Sequence, residues 1–585
     1  MSVLGISTWR CQEYAEYVGA QLHSLIFSWH LVVGCPSAGY KDGMSQRFPT
    51  PLFPPSSNHS PYPNQTQQSF FYLKLANHPG LTAMVLAHLR LLAHPFAIAG
   101  ILVGVLASAA IYRAARGPLS HIPGPWYSRL TSLVLVYHWL RGERSAYVHR
   151  LHQKYGPVVR IAPDEADLTD LAAKHQIYTV KEVFLKSIFY SRIRDPRNEN
   201  IFSTRSIPQH RQFRRLLSGP LSESSLKLVE PIVRSKVDLA MQRMNESMQT
   251  DGVMDVYKWA LFMATDIIGE LTFGESFRML ESGKINQYIV DLQSIAKIGG
   301  INTAFPGLIK FIRSKGIWTP IDVINQAATI IPRFTSYAVQ SLERYQRLVK
   351  EDPDNVPQTL FTKVFKAKDD DTLDFNDIVG NARAYLVAGS DTTAHTLTYL
   401  IWAVCKHPEV RQRLVDELQK NLPAENDDIT DHDLVSLPYL TSVIEEILRL
   451  YSAAPSGLPR VVPPEGAELG GYWFEPGTTV CMQAYSMHRD PAIFPNPNAF
   501  DPDRWSPSRV TKDMKDAFMP FGAGSRICIG LHLAQTELRL ATALFFRTFP
   551  NATVSTREKM SDADMDPKIY FLLTPKGKRC LIEGY

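Results

Sequence analysis

Cysteine is scarce in this sequence of 585 residues, and its spacing carries no metal-binding or disulfide pattern. No Cys-x-x-Cys pair occurs among the six cysteines, which are Cys11, Cys35, Cys405, Cys481, Cys528 and Cys580. Structural zinc sites and disulfide-rich secreted domains need closely or regularly spaced cysteines. The sequence therefore argues against both, and it favours reduced thiols in a domain that faces the cytosol.

A strong charge of one sign is also lacking. The formal net charge is only +5, from 62 basic and 57 acidic side chains. Nucleic-acid-binding domains carry a more concentrated basic charge, so this balance gives no reason to expect nucleic acid as a partner. The Gly-x-Gly-x-x-Gly fingerprint of dinucleotide-binding domains does not occur either. The chain therefore shows no nicotinamide site of its own.

The first 80 residues lack the apolar pattern from which a core could be built. Residues 49–68 are rich in proline, serine, asparagine and glutamine, a composition typical of disordered segments. Met84 begins a segment that looks like a natural start. We therefore expect residues 1–80 to be disordered, or residues 1–83 to be absent from the working protein.

One long apolar run follows this region. Residues 95–112 contain no charged side chain, and they are just long enough to span a bilayer core if the flanking residues contribute. Arg113 and Arg116 come next, and the positive-inside rule then places the C-terminal side in the cytosol. We expect a membrane anchor over residues 81–117. A signal peptide cleaved near residues 107–109 is the alternative.

Two local patterns predict strands, and a longer region predicts helices. β-branched residues at 155–162 predict the first strand of a small sheet, and Gly470 with Gly471 predicts a hairpin turn between two short strands. Residues 220–350 contain several amphipathic segments, which are typical of helices. These patterns predict helices in the middle of the chain and short strands on either side of them.

The densest motif lies near the C-terminus, at residues 521–530, and reads Phe-Gly-Ala-Gly-Ser-Arg-Ile-Cys-Ile-Gly. Its glycines allow positive φ and close approach of the backbone to a flat or bulky group. The apolar-periodic segment at 531–549 predicts a helix directly after the motif. Cys528 would then lie at a helix N-terminus, where the dipole favours thiolate over thiol. A thiolate is a good axial ligand for haem iron, and a buried structural cysteine is the alternative.

The whole string Phe-x-x-Gly-x-Arg-x-Cys-x-Gly resembles the haem-binding signature of the cytochromes P450. The resemblance covers about residues 120–585, and it implies that the sulfur of Cys528 is the axial ligand of the haem iron. It also implies an α+β fold that is mainly α-helical with a small β region, preceded by a single N-terminal transmembrane helix. Four further residues would shape the haem site, namely Phe521, Gly524, Arg526 and Gly530.

The same resemblance divides the chain and places it in the cell. Residues 118–128 resemble the proline-rich hinge of the microsomal members, because their prolines fix the backbone and discourage helix before them. Residues 129–585 are then the haem-thiolate domain. The implied location is the endoplasmic reticulum membrane, with a single pass and the catalytic domain facing the cytosol. The sequon at Asn245 would stay unmodified there, which leaves Asn58 and Asn64 as candidate glycosylation sites.

Residues 374–405 predict a long helix with an unusual middle. Glycine costs about 1 kcal/mol in a helix interior relative to alanine, and Asp and Thr compete with backbone hydrogen bonds, so we expect a local distortion. The string resembles the oxygen-binding segment of the family. There, small residues (here Ala388 and Gly389) leave room for dioxygen, and an acid–alcohol pair (here Asp391 and Thr392) relays protons. A satisfied polar pair in a kinked helix is the alternative.

Three basic side chains are candidates for contact with the haem propionates. His210 and Arg214 lie one turn apart on a helix predicted at 206–217. The family usually has tryptophan where this sequence has His210, so an imidazole hydrogen bond would replace the indole contact. Arg460, which follows the turn at 455–459, resembles a further propionate-binding arginine. For Arg460 a plain surface arginine is the alternative.

Glu446 and Arg449 lie three residues apart on a helix predicted at 439–451, so they share a face. As a surface pair they would contribute only about 0.3–0.5 kcal/mol. In the family, this Glu-x-x-Arg pair is buried and is joined by an arginine from a later loop, which matches Arg504. We therefore expect these three residues to form a buried structural network.

The resemblance implies a haem b cofactor and the insertion of one oxygen atom from O2 into a hydrophobic small molecule, by hydroxylation or epoxidation. Electrons from NADPH would come through a separate NADPH-cytochrome reductase, with cytochrome b5 as a second donor. The chain looks like a fungal monooxygenase of secondary metabolism, such as polyketide or terpenoid biosynthesis. Two alternatives are a haem-thiolate isomerase or dehydratase that acts without a reductase, and a non-enzymatic haem carrier or sensor. Such isomerases often lack the acid–alcohol pair.

Overall fold

The computed structural model describes residues 95–585, together with residues 83, 84 and 87. Within 95–585 the positions left out are 180, 182, 194–198, 289, 292, 293, 295–297, 299, 300, 303, 304, 320, 321, 353, 367–372 and 424–428. The expectations for residues 1–80, including the sequons at Asn58 and Asn64, lie outside the described residues.

The first long element is an apolar helix, α1 (Pro95–Arg116). Its segment Ala97–Arg116 has a mean hydropathy of 1.8, and none of this segment is buried in the structure. A helix of this length and composition can cross the hydrocarbon core of a bilayer. An apolar helix therefore occupies the position expected for the anchor.

The hinge that follows α1 is held by one buried side chain from the first strand, β1 (Val158–Ala162). The backbone N–H of Arg160 donates to the carbonyl of Pro123 at 2.7 Å. Burial is the main cause that lowers the pKa of Arg160, to about 10. Its guanidinium donates to the carbonyl oxygens of Leu119 (3.0 Å), Ile122 (2.5 Å), Gly124 (3.4 Å) and Pro125 (3.2 Å).

The domain is mainly helical, as predicted. The first helices are α2 (Leu133–Leu140), α3 (Arg144–Tyr155), α4 (Leu171–Ile177), α5 (Phe189–Arg192) and α6 (Ile207–Leu217). The central helices are α7 (Glu223–Asp251), α8 (Val256–Phe273), α9 (Met279–Ser282), α10 (Pro306–Lys315), α11 (Asp322–Glu351), α12 (Thr362–Lys366) and α13 (Phe375–Lys406). The last helices are α14 (Pro408–Asn421), α15 (Asp431–Val435), α16 (Pro438–Leu450), α17 (Ala484–Met487), α18 (Lys512–Ala517) and α19 (Leu531–Thr548).

The largest sheet of the described residues has five strands in the order β1-β2-β8-β5-β3. Its other members are β2 (Glu165–Leu168), β3 (Leu185–Lys186), β5 (Arg460–Val461) and β8 (Thr479–Cys481). A second sheet joins β4 (Met254–Asp255), β12 (Leu581–Glu583) and β9 (Thr553–Val554). Two hairpins complete the β region, β6 (Ala467–Leu469) with β7 (Tyr472–Phe474) and β10 (Pro567–Ile569) with β11 (Leu573–Pro575). The predicted first strand and the turn at Gly470 are confirmed.

The core of the domain lies where α13 packs along α8. Side chains on all faces of α8 are buried, because the helix is apolar around its circumference. The carboxylate of Asp255 caps α8 by accepting from the backbone N–H groups of Tyr257 and Lys258. α13 also contacts α11, α16 and α19. It therefore crosses the centre of the domain and holds the segment that includes Asp391 there.

Candidate active site

The loop that carries Cys528 is closed by its own backbone. The N–H of Cys528 donates to the carbonyl of Phe521 at 2.9 Å, and the N–H of Gly522 donates to that of Met519 at 3.0 Å. α19 begins directly after the loop, at Leu531. The prediction of a tight loop that leads into a helix is confirmed.

Gly524 is required by the shape of this loop. Its φ is +69°, and a Cβ atom at this position would lie 2.3 Å from the backbone oxygen of Tyr178. Any side chain would therefore push the loop away from the end of α4. Gly530 does not use the positive φ that glycine allows, since its φ is −92°. A Cβ atom on Gly530 would meet no atom within 4 Å, so this glycine faces open space beside Cys528.

Cys528 differs from the other described cysteines in its exposure. Cys405, Cys481 and Cys580 are buried, whereas the side chain of Cys528 is exposed. Its surroundings nevertheless disfavour charge. Desolvation raises the pKa of the Cys528 thiol, and it outweighs the opposing backbone N–H of Gly530 and the charge of Arg214. This desolvation opposes the effect of the helix N-terminus that we expected from the sequence.

Four basic side chains, here called the basic cluster, act electrostatically on His210, which is buried on α6. Burial is the main cause that lowers the pKa of His210, to about 3. The positive charges of Arg526, Lys186, Arg214 and Arg460 lower it further. His210 is therefore a neutral imidazole at neutral pH, inside a region of positive potential.

This cluster is connected to the cysteine loop. The guanidinium of Arg214 donates to the carbonyl oxygen of Ile527 at 2.6 Å, next to Cys528 in sequence. Arg460 is buried on β5, so the alternative of a plain surface arginine is wrong. Its guanidinium lies 5.4 Å from the ring centre of Tyr178. The three predicted basic residues therefore meet on one side of the loop.

α13 carries Asp391 and Thr392 without a break. The backbone is helical from Phe375 to Lys406, so the predicted distortion is not an interruption of the helix. Instead, the hydroxyl of Thr392 donates to the carbonyl oxygen of Ala388 one turn earlier. The Asp391 carboxyl is buried, and this burial raises its pKa. A buried acid whose pKa is raised therefore lies next in sequence to a threonine that is half-exposed.

Gly389 on the same helix has a different role from the one predicted. A Cβ atom at Gly389 would lie 2.6 Å from Cγ1 of Ile268 on α8. The missing side chain therefore makes room for Ile268 rather than for dioxygen, and it permits the close packing of α8 and α13. Of the two small residues predicted to leave room for dioxygen, Ala388 is the one that remains a candidate for this role.

Behind the loop, Glu446 forms the predicted buried network with two arginines. The guanidinium of Arg449 donates to both carboxylate oxygens of Glu446 at 2.8 Å, and that of Arg504 donates at 3.4 Å. The indole of Trp505 and the N–H of Asp501 donate to the same carboxylate at 3.0 and 3.1 Å. All three charged side chains are at most 1% exposed. The carboxylate thus accepts five hydrogen bonds and balances part of the arginine charge.

His488 links this network to the cysteine loop. Its Nε2 accepts from the N–H of Met519 at 2.9 Å, and its Nδ1 lies 3.0 Å from the carbonyl oxygen of Arg449. Burial lowers the pKa of His488 to about 3, so it is a neutral imidazole. Met519 comes just before the loop, and therefore the position of the loop depends on the network.

The chain was compared with known proteins once this geometry was established. A model of the cytochrome P450 family matches residues 123–581. The chain belongs to the cytochrome P450 family. It is 47% identical to the cytochrome P450 monooxygenase tazI of Aspergillus terreus, over 83% of this chain and 97% of that protein. It is 42% identical to orf2 of Aspergillus niger (85% and 99%) and 35% identical to aflV of Aspergillus parasiticus (80% and 91%), both named as cytochrome P450 monooxygenases. The protein is therefore a monooxygenase and an oxidoreductase.

Membership of the cytochrome P450 family implies haem iron, and the residues of this P450 fit a haem. Cys528 offers an accessible sulfur at the head of α19. Gly530 leaves open space beside that sulfur for a flat group. Cations around His210 complement the two propionate carboxylates of a haem.

Sequence reasoning missed several residues of this P450. Lys186 is a buried member of the basic cluster, and its signal was a lone cation within the apolar stretch 183–190. His395 lies one turn after Asp391, and its ring stacks on that of Tyr257 with 5.6 Å between centres. The spacing of Asp391 and His395 could have been recognised. No local pattern gave His488 a role, and its role emerges from its contacts with Met519 and Arg449.

Proposed function

We propose that this cytochrome P450 inserts one oxygen atom from O2 into an apolar small molecule, by hydroxylation or epoxidation, in a fungal secondary-metabolite pathway such as polyketide or terpenoid biosynthesis. The compared relatives are monooxygenases of Aspergillus species. The observation that carries the proposal is the accessible Cys528 beside a cluster of cations.

Haem b is the cofactor that these residues would hold. Cys528 would bind the iron, and the cations of the cluster would bind the propionates. When bound, haem supplies the activation of dioxygen. The protein residues proposed to hold it are Phe521, Gly524, Arg526, Cys528, Gly530, Arg460, Arg214 and His210, with Ala388 on the opposite side.

Asp391 and Thr392 are proposed to manage the protons of the reaction. Because the pKa of the buried Asp391 carboxyl is raised, this acid holds a proton on its carboxylate oxygen more firmly than an exposed aspartate does. The hydroxyl of Thr392 directs its hydrogen to Ala388, so its oxygen can accept a hydrogen bond from a water molecule. The pair can therefore position a water and deliver protons to it.

We propose that electrons reach the domain from NADPH through a separate NADPH-cytochrome reductase, with cytochrome b5 as a second donor. The proposed location is the endoplasmic reticulum membrane. α1 would span the bilayer once, and the arginines at its C-terminal end would keep the catalytic domain on the cytosolic side.

The ligand role of Cys528 is tested by the spectrum of the reduced protein with carbon monoxide. Wild-type protein should give the red-shifted Soret band of thiolate ligation, and Cys528→Ser should abolish it. Cys405→Ala, at a buried cysteine of α13, is the control and should keep the band. A wild-type spectrum of the histidine-ligated type, unchanged in Cys528→Ser, would overturn the proposal.

The proton role is tested by the coupling of NADPH oxidation to product. Thr392→Ala should still consume NADPH but should form much less product per NADPH, because the hydroxyl that positions the water is lost. Thr398→Ala on the same helix removes a hydroxyl that also bonds to a backbone carbonyl, that of Ala394 at 2.7 Å. This control should couple normally. Equal coupling in both variants would favour another proton route.

A further inference from the structure

One histidine in the middle of α13 has a ring nitrogen for which the described residues offer no partner. His395 lies one turn after Asp391 on this helix, and it is only 4% exposed. Its Nδ1 is buried and makes no hydrogen bond to any described residue. Leaving a buried polar atom unsatisfied generally costs a protein stability. The core therefore keeps an unsatisfied nitrogen one helical turn from the acid that we propose to manage protons.

Two other elements hold the ring of His395 in place. The ring stacks on that of Tyr257 from α8, with 5.6 Å between the centres and 9° between the planes. A backbone hydrogen bond also joins the ring to Leu573 of β11. A functional group is kept in a productive geometry when packing and hydrogen bonds fix its side chain in this way. Nδ1 of His395 therefore keeps a fixed direction relative to α13.

Asp391 and His395 act on each other electrostatically. Burial raises the pKa of the Asp391 carboxyl and lowers that of His395, and the charge of each group opposes this shift in the other. The charge of Lys578, which is exposed on the turn after β11, lowers the pKa of both groups. Burial raises the pKa of Tyr257 and Tyr288, and Asp391 raises both further, so these phenols stay neutral.

Side chains four residues apart on a helix share a face, with about 5–6 Å between their Cβ atoms. A carboxyl and an imidazole at this spacing can therefore reach each other directly or through one water molecule. A protonated carboxyl has one hydrogen to donate, and a neutral imidazole has one nitrogen that accepts. The unsatisfied Nδ1 of His395 is thus matched by the Asp391 carboxyl in both position and chemistry.

We propose that His395 is a positioning residue for proton delivery, because the carboxyl of Asp391 shares its proton with Nδ1 of His395, directly or through one water. This inference rests on the proposed function. The proton leaves a carboxyl oxygen for Nδ1 and returns, so the pair keeps its net charge and no electrons move. Asp391 can then alternate between donor and acceptor while the charge of its carboxylate is balanced by the imidazolium beside it.

The experiment follows the infrared C=O band of the protonated Asp391 carboxyl in the full-length protein. This band is identified as the one that Asp391→Asn removes, and its intensity is measured during a pH titration. In His395→Phe the midpoint of the titration should rise by about one pH unit, because His395 favours the ionised acid. The same variant should form severalfold less product per NADPH, with a larger solvent deuterium isotope effect, because the acid then releases its proton less readily.

The variants separate proton sharing from packing. His395→Phe keeps a ring against Tyr257 and removes both ring nitrogens. His395→Gln also takes up no proton, and it replaces the phenylalanine variant if that protein does not fold. His407→Gln removes a histidine at the C-terminal end of the same helix. This control should leave the titration midpoint, the coupling and the isotope effect unchanged.

Three results would overturn the role of His395. The first is an equal midpoint in wild type and His395→Phe, since the two groups then share no proton. The second is an equal shift in His407→Gln, because the change would then belong to the whole helix. The third is the lack of any band that Asp391→Asn removes. Failure of the proposed function would appear separately, as a histidine-type carbon monoxide spectrum of the wild type.

Discussion

Two groups of basic side chains contact the segment around the cysteine loop, one around Glu446 and one around His210, and they differ in their surroundings. Around Glu446, two arginines share one carboxylate that accepts five hydrogen bonds. Around His210, four cations surround a neutral imidazole. The first group contains a carboxylate of the protein, and the second includes the residues that we propose to bind the propionates of a haem.

We propose that the first group holds the fold and that the second group holds the cofactor. A network with an internal carboxylate should stabilise the protein whether or not haem is bound. A cluster of like charges should make a more favourable contribution when an anion joins it. The comparison therefore predicts that substitutions in the two groups respond differently to haem.

The largest effect is expected for Glu446→Gln, which leaves Arg449 and Arg504 without their carboxylate. Breaking a buried charge network of this kind costs about 3–5 kcal/mol. The loss should appear in chemical or thermal unfolding with and without haem, together with a low haem content. Glu445→Gln, at the half-buried neighbouring position of α16, should change stability by less than about 0.5 kcal/mol. Normal stability of Glu446→Gln would show that the network is not needed for folding.

The pH dependence of stability offers an intermediate effect. The pKa of His210 is about 3 in the folded protein, against an ordinary value of 6.5. The unfolded chain therefore binds a proton below pH 6.5 that the folded protein does not, so stability falls as the pH falls from 6.5 towards 3. Haem-free wild-type protein should lose about 2 kcal/mol more than His210→Asn between pH 8 and pH 5.

Two controls sharpen this measurement. His175→Asn removes an exposed histidine. This variant should lose as much stability between pH 8 and pH 5 as the wild type does. Haem should reduce the loss of stability that His210 causes at low pH, because a propionate charge nearby raises the pKa of an imidazole. Identical acid curves for wild type and His210→Asn would mean that His210 is not buried as a neutral ring.

The smallest effect is expected for Arg460→Met, and it should depend on haem. The variant should lose haem about tenfold faster, because one charge-assisted hydrogen bond to a propionate is gone. Unfolding of the haem-free protein should not be destabilised, since a repulsion with Lys186 is removed. Arg211→Met, at an exposed position of α6, is the control. If Arg460→Met destabilised the haem-free protein as Glu446→Gln does, both groups would stabilise the fold independently of haem, and the proposed difference between them would be wrong.

Much of the site could be predicted from the sequence because its parts lie in short motifs. The loop at 521–530, the acid–alcohol pair of α13 and the Glu446–Arg449 pair each fit within a few turns of chain. Arg504 could be added only through the family resemblance. The predicted fold class followed from the family resemblance, and the apolar helix α1 followed from composition.

The remaining features depend on contacts between distant segments, which no local pattern records. Lys186 joins the site only through the pairing of β3 with β5. Gly389 looked like part of an oxygen site, but its neighbour Ile268 comes from another helix. The argument that a helix end would make Cys528 a thiolate left out desolvation, which raises the pKa of the thiol.

The hydrogen bonds from Arg160 to the carbonyl oxygens of the hinge have a consequence for biosynthesis. The ribosome makes α1 and the hinge before it makes β1. The carbonyl oxygens at residues 119–125 therefore cannot accept hydrogen bonds from the guanidinium of Arg160 until β1 has been synthesised. Until then these hydrogen bonds do not hold the hinge after α1. Once the first sheet has formed, the hydrogen bonds of Arg160 fix the hinge between α1 and the domain.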